Sequence, residues 1–372
     1  MDRYIGLRRV LMQLIILVAP AFILLACQSV ANNQEKVIDS QEVNEYNGEL
    51  VISLSDRMTE EWMRTYVEPV YSQIYPKVTI VYDVEEGRAR YDKLLAQKEN
   101  PEADLFISTN EMLFEAIKDG LLNPLNPDNI PNIKNLYDWA TPYPEYGVAY
   151  TTAVLGIGYN PFFFRYYPPT SWEDLWRADV QGRIAVPAIG HDLMPEFILQ
   201  AAELFGGSAE NIEPGFENLA KLNPDIQALS YGDWKNRFDS DDIIMVVDLD
   251  CNINNLAASG VNIKYVLPLE GGWGSAKNMA VVTGTENQES VEAFINLMLS
   301  TEIQQSLINN LSCTPARKDI KVQNEQARYL AAYGNNLHSV KWFDEELYVS
   351  VRQLWTEDMN QFVAPIWGET SK

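Results

Sequence analysis

Between Leu50 and Gly120 the hydrophobic period switches repeatedly from two to 3.6, and that alternation most restricts the fold. "LVISL" at 50–54 is a short apolar run that reads as a buried strand. Met63, Val67, Val70, Tyr71 and Ile74 then recur at helical spacing, with Pro69 placed to kink that helix. "VTIVY" at 78–82 is a β-branched strand, "ARYDKLLAQK" a short helix stopped by Pro101, and "ADLFIST" at 103–109 a third strand. Asn110 is the expected cap of "EMLFEAIKDG", and Gly120 its stop. Strands alternating with helices in this way predict a parallel sheet with crossover helices. A second set follows. It has a long extended stretch at 146–161, a helix capped at Ser171, "GRIAVPA" and the helix "MPEFILQAAELFG". It closes with the strand "IIMVVDL" at 243–249, a helix ending at "ASG", and "IKYVLP" at 263–268. More than 300 residues after Gly48 are too many for one simple core, so two α/β lobes are expected. Thr301 and Gln304 form a candidate capping box, and the aromatic tail from His338 reads as packing helix.

The N-terminus sets the compartment. Arg3, Arg8 and Arg9 precede an apolar run from Val10 to Leu25, which stops at "LLAC". The run is short for a membrane span and contains Pro20, so residues 1–26 read as a signal peptide. Leu-x-Ala-Cys resembles the bacterial lipoprotein box, which implies cleavage before Cys27 and lipidation of its sulfur. Residues 27–47 are polar and aperiodic, and read as a flexible tether. The expected location is the periplasm or cell surface, on a membrane anchor.

The formal charge of −24 argues against nucleic acid, whose phosphates need basic partners. Only His191 and His338 are available as imidazole ligands, so neither a zinc enzyme nor any other metal or cofactor is expected. Cys251 and Cys313 could pair in an oxidising compartment, and their spacing leaves that open. There is no nucleophile elbow and no His-Glu-x-x-His, so "HDLMPE" at 191–196 is the only hint of an extracellular enzyme.

Five phrases in order carry a family resemblance: "LLAQKENPEADLFIST", "GIGYNP", "PTSWEDLW…GRIAVP", "VLPLEGGWGSAKNMAVV" and "FINLMLSTEIQQ". They resemble the solute-binding proteins of ABC importers, in the branch with spermidine/putrescine and iron or thiamine receptors. The resemblance implies a two-lobed periplasmic-binding-protein fold of the type II kind. It implies three hinge crossings near 147–153, 270–277 and 311–315. Residues 48–147 with 277–312 would form one lobe, and 148–276 with 313–372 the other. The partners implied are a small solute, a permease and its ATPase subunits, with the receptor itself a monomer. A receptor feeding a membrane signalling protein would share the fold.

Ligands of open α/β sheets bind beyond the carboxyl ends of strands. Those ends bring Ser55, Asp56, Ser108, Thr109 and Asp250 forward as candidates, although Ser, Thr and Asp there also simply cap helices. Tyr150, Thr151 and Thr152 lie at the first crossing, and Trp273, Ser275 and Lys277 at the second. Asp192 falls where polyamine receptors carry acidic contacts. Those receptors sandwich the ligand between aromatics. Aligned without gaps, this chain has Ser55, Leu249 and Ser275 at the aromatic positions, and Lys277 at a carboxylate position. A lysine repels a diamine. The expected ligand is therefore anionic or zwitterionic, of the carboxylate or phosphonate type, with Asp56 or Asp250 free to hold an amine. A linear polyamine or ferric iron is the alternative. Tyr166–Tyr167 suggest the iron reading only by their pairing. The expected partner of Lys277 is either Asp250 or the solute.

Overall fold

The computed structural model describes residues 47–370 except Glu86 and 323–329. The signal peptide, Cys27 and tether lie outside the described residues. No helix among those described is long and apolar enough to cross a membrane.

The first α/β set forms as its periodicity requires. Strands β1 (Gly48–Leu54), β2 (Val78–Val84) and β3 (Leu105–Ser108) pair in parallel, with β1 between the others. Helix α1 (Arg57–Trp62) runs through a π turn at Met63–Val67 into α2 (Glu68–Ile74). Pro69 lacks the N–H that would continue the α ladder, and the wide turn just before it absorbs the mismatch. Helices α3 (Ala89–Ala96) and α4 (Asn110–Lys118) follow β2 and β3. The cap of α4 is Thr109, not Asn110. The Asn110 side chain instead bonds Asn278 and Glu345.

The long extended stretch becomes β4 (Gly147–Tyr159), buried at every position from Gly147 to Gly158. It pairs antiparallel with β9 (Gly272–Val281). These two strands join everything into one mixed sheet, in the order β2-β1-β3-β9-β4-β7-β5-β6. The second set comprises β5 (Ile184–Pro187), α5 (Met194–Leu204), α6 (Glu213–Leu219), β6 (Ile226–Ala228), α7 (Tyr231–Asp239), β7 (Met245–Leu249), α8 (Asp250–Ala258) and β8 (Lys264–Val266). After β9 come α9 (Gln288–Met298), α10 (Thr301–Leu311), β10 (Thr314–Pro315), β11 (Val340–Lys341) and α11 (Glu345–Asp358), which continues to Thr370.

Core membership changes along the two central strands. Along β4, Val148, Ala149, Tyr150 and Ala153 pack with the first set's core, while Leu155 and Ile157 pack with the second. Along β9 the change falls between Trp273 and Ala276. Short β10 lies against β4 at Thr151 and Thr152, so three chain segments run side by side between the lobes. Gln304 ties them. It is fully buried, donates to the Tyr150 carbonyl and accepts from the Ala316 and Arg317 amides. It therefore takes no part in a capping box, and the cap of α10 is Ser300. The glycine cluster is explained by packing: a Cβ on Gly272 would lie 2.4 Å from the Leu155 carbonyl oxygen, backbone that cannot step aside. Cys251 and Cys313 are joined in a disulfide, Cα–Cα 4.7 Å, which binds α8 to the third crossing. The tail aromatics Phe343, Tyr348, Trp355 and Trp367 are buried, as a packing helix requires.

Candidate functional site

The carboxyl ends of β1, β3, β5 and β7 open on a cavity of about 670 Å³ between the lobes. That is the size expected for a small-molecule site. Ser55, Asp56, Ser108, Thr109, Tyr150, Thr151, Thr152, Asp192, Ser275 and Lys277 all line it.

Asp56 serves two ends at once. It caps α1 by accepting from the Thr59 amide (2.8 Å), and its other oxygen takes the Lys277 ammonium (2.7 Å) and the Ser55 and Thr59 hydroxyls. Lys277 is therefore paired with Asp56 and not with Asp250. Burial alone would raise the Asp56 carboxyl, but the Lys277 ammonium and the Thr59 bonds outweigh it and hold it far below the ordinary carboxylate range. Burial likewise opposes the charge on Lys277, and Asp56 more than restores it. Thr109 spends its oxygen on the Met112 amide. The helix starts behind β1 and β3 are thus capped from within.

Thr151 and Thr152 line the cavity but donate to the Thr314 and Ser275 carbonyls, so they hold the crossings together. Two hydroxyls are different. Ser108 Oγ and Tyr150 Oη are buried and have no hydrogen-bond partner among the described residues. Burial pushes the Tyr150 hydroxyl up to about 12, so it is a neutral donor at any physiological pH.

The same cavity is lined by a residue that sequence reasoning missed. Arg90, on α3, is 4% exposed. Its guanidinium donates to the Ile107 and Gly87 carbonyls and touches Met112 Sδ. It has no carboxylate within ion-pair distance among the described residues. Burial depresses its pKa, while Asp192 and Asp56 act from farther off to raise it. A buried cation with carbonyl acceptors but no carboxylate is costly. The signal was present: Arg90, Tyr91 and Leu94 share the buried face of α3, where an apolar residue belongs.

The opposite wall carries Asp192, whose carboxylate makes no hydrogen bond or ion pair among the described residues. Its carbonyl accepts from the Tyr348 hydroxyl (2.7 Å), which fixes the turn. Asp248 also reaches this wall but is fully engaged by Trp234 Nε1, the Leu249 amide and Asn252.

Two expected residues lie elsewhere. Asp250 is fully buried beneath the crossing and accepts from the Val154, Cys251 and Ala331 amides. Those three donors favour its charged form, but burial outweighs them and lifts the carboxyl to about 7. Trp273 packs against Phe343 in the second core, its Nε1 on Gln200. Tyr166 and Tyr167 are 88% and 77% exposed, outside the cavity. Ser55, Leu249 and Ser275 do line it, where aromatic clamps were expected to be missing.

A family model described as bacterial extracellular solute-binding protein matches residues 100–342. The chain belongs to that family. A curated relative is the putrescine-binding periplasmic protein SpuD of Pseudomonas aeruginosa, 24% identical over 266 residues, 64% of this chain and 72% of the relative. Among solved structures, an ABC transporter from Clostridium perfringens aligns with a TM-score of 0.69 at 24% identity, covering 84% of this chain and 99% of that one. A GABA receptor aligns at 0.71 and 20% identity, covering 85% and 98%. Both have the same two-lobed fold.

Proposed function

We propose that this protein is the solute receptor of an ABC importer and that its ligand is a small zwitterion. One observation carries the reading: a buried, carboxylate-free Arg90 on one wall faces an unpaired Asp192 on the other. A ligand carboxylate would take Arg90 with the idle hydroxyls of Ser108 and Tyr150, and a ligand ammonium would take Asp192. Charge-assisted bonds of this kind are the strong ones. Lys277 and Asp56 neutralise each other and shape the wall between. The lobes that close would be 48–147 with 277–312 and 148–276 with 313–372, and closure would be read by a permease and its ATPase. The anchor would be a lipidated Cys27, which the mass of the mature protein tests. No catalysis is assigned.

Relatives named for putrescine favour a second reading, in which Asp192 and Asp56 hold a diamine. Against it stand the Lys277 pairing and the absence of aromatics at Ser55, Leu249 and Ser275. Thermal-shift and calorimetric screening of ω-amino acids, dicarboxylates, phosphonates and polyamines tests both readings, since a ligand stabilises by mass action. Submicromolar spermidine binding sinks the zwitterion reading.

A further inference from the structure

Beside the cavity, one seam between the lobes is built mostly of carboxylates. Helix α11 buries Tyr348 and Trp355 in the second core. Its other face reaches the first lobe. Glu345 accepts from Asn110 and from the Tyr143 hydroxyl, each at 3.3 Å, and Arg352 pairs with Glu115 at 3.1 Å. Glu115 is also held by Arg88.

At the start of α5, on the same seam, Glu196 is 4% exposed, and its Oε2 has no hydrogen-bond partner among the described residues. Its own backbone amide favours the charged form, and two carboxylates oppose it: Glu111 from α4 across the seam, and Asp192 from the turn before α5. Tyr348 of α11 lies near but donates its hydroxyl hydrogen to the Asp192 carbonyl. Arg352 is committed to Glu115. Of the cations on the other elements around α5, Lys341 of β11 is spent on Gln200 and Glu203 of that helix. Glu213 and Glu217 of α6 and Glu173 of the 172–176 turn are exposed, and Asp174 is held by Arg177. His191, three residues before α5, accepts from the Leu193 amide.

An ionised Glu196 here would be desolvated, under-bonded and next to like charges. We propose that closing this seam takes up a proton, so that the closed cleft is favoured as pH falls. Burial pushes Glu196 well above the usual carboxylate range, and burial with the Asp192 and Glu345 charges lifts Glu111 to about 7. A carboxyl raised in the closed form favours closure most below its open-form value, near 4.3, and loses that effect as pH rises through the raised value. The inference needs two lobes that close but no particular solute.

The test is ligand-free. Spin labels at Lys77→Cys and Glu217→Cys, both exposed, report the interlobe distance in the full chain with Cys27→Ser. Between pH 8.5 and 5.5 the closed-to-open ratio is expected to rise by up to about tenfold per pH unit for one proton. Glu196→Gln is expected to be shifted toward closed and to keep only the part of the pH dependence that Glu111 contributes, Glu111→Gln to shift the transition to lower pH, and His191→Gln to keep it. Far-UV circular dichroism checks that each variant folds. A wild-type distance distribution unchanged across this range overturns the proposal. So does unaltered pH dependence in both Glu variants, or its loss in His191→Gln alone. Because no solute is present, none of these results depends on the ligand assignment.

Discussion

Replacing Arg90 by Met separates a binding residue from a structural one. The side chain is buried, and its donors reach the Ile107 and Gly87 carbonyls without meeting a carboxylate. If its charge is held ready for a ligand carboxylate, removing it leaves that carboxylate desolvated and unpaired. Truncating one partner of such a pair costs about 2–5 kcal/mol. At about 1.4 kcal/mol per factor of ten, that is roughly a 30- to several-thousand-fold loss of affinity. The ligand-free protein should behave oppositely. Met fills similar space and removes an unpaired buried charge, so its stability should be unchanged or higher. Titration calorimetry with the best solute from the screen, beside urea unfolding of the free protein, gives both numbers. Arg90→Met that unfolds more easily but binds within about threefold of wild type would refute the reasoning and make Arg90 a tie between α3 and β3.

Other outcomes follow from the same geometry. Asp56 and Lys277 side chains are about one-third exposed, so a double-mutant cycle with Asp56→Asn and Lys277→Met should give a coupling of only about 0.2–1 kcal/mol. The depressed Asp56 carboxyl contributes stability above about pH 3.9 that is lost as pH falls through its lower native value, and Lys277→Met should move that loss to higher pH in acid-unfolding curves. Reducing Cys251–Cys313, a 62-residue separation, should lower urea stability by about 4 kcal/mol on the chain-entropy model, measured with and without reductant. Asp250→Asn puts an amide donor among three backbone N–H groups and should destabilise by about 1–3 kcal/mol without altering ligand selectivity.

Much of this fold was legible locally. The period switches from Leu50 to Gly120 located three parallel strands and their helices, because each element buries its own face. The double role of β4 was not legible, since nothing in "YGVAYTTAVLGIGY" says that it serves two cores. Caps were misplaced by one residue at Asn110 and Thr301, because several neighbouring side chains can supply the oxygen. The site was half legible. Strand ends pointed to Ser55, Asp56 and Ser108, and the second crossing to Lys277, yet the Asp56–Lys277 pair joins residues 221 apart in sequence. Asp250 sits at a strand end like Asp56, but the chain returns over it with the Ala331 amide, a tertiary fact. Arg90 looked like any helix-surface arginine beside Arg88, and only its place on the buried stripe of α3 distinguished it.

The central claim is that this cleft receives a carboxylate. Calorimetry of the purified protein with length-matched pairs, each an ω-amino acid and the diamine of the same chain length, tests it most directly. The account predicts that the amino acid binds at least tenfold tighter in the best pair and that Arg90→Met abolishes the preference. A diamine that binds in the submicromolar range while its amino-acid partner does not would contradict it.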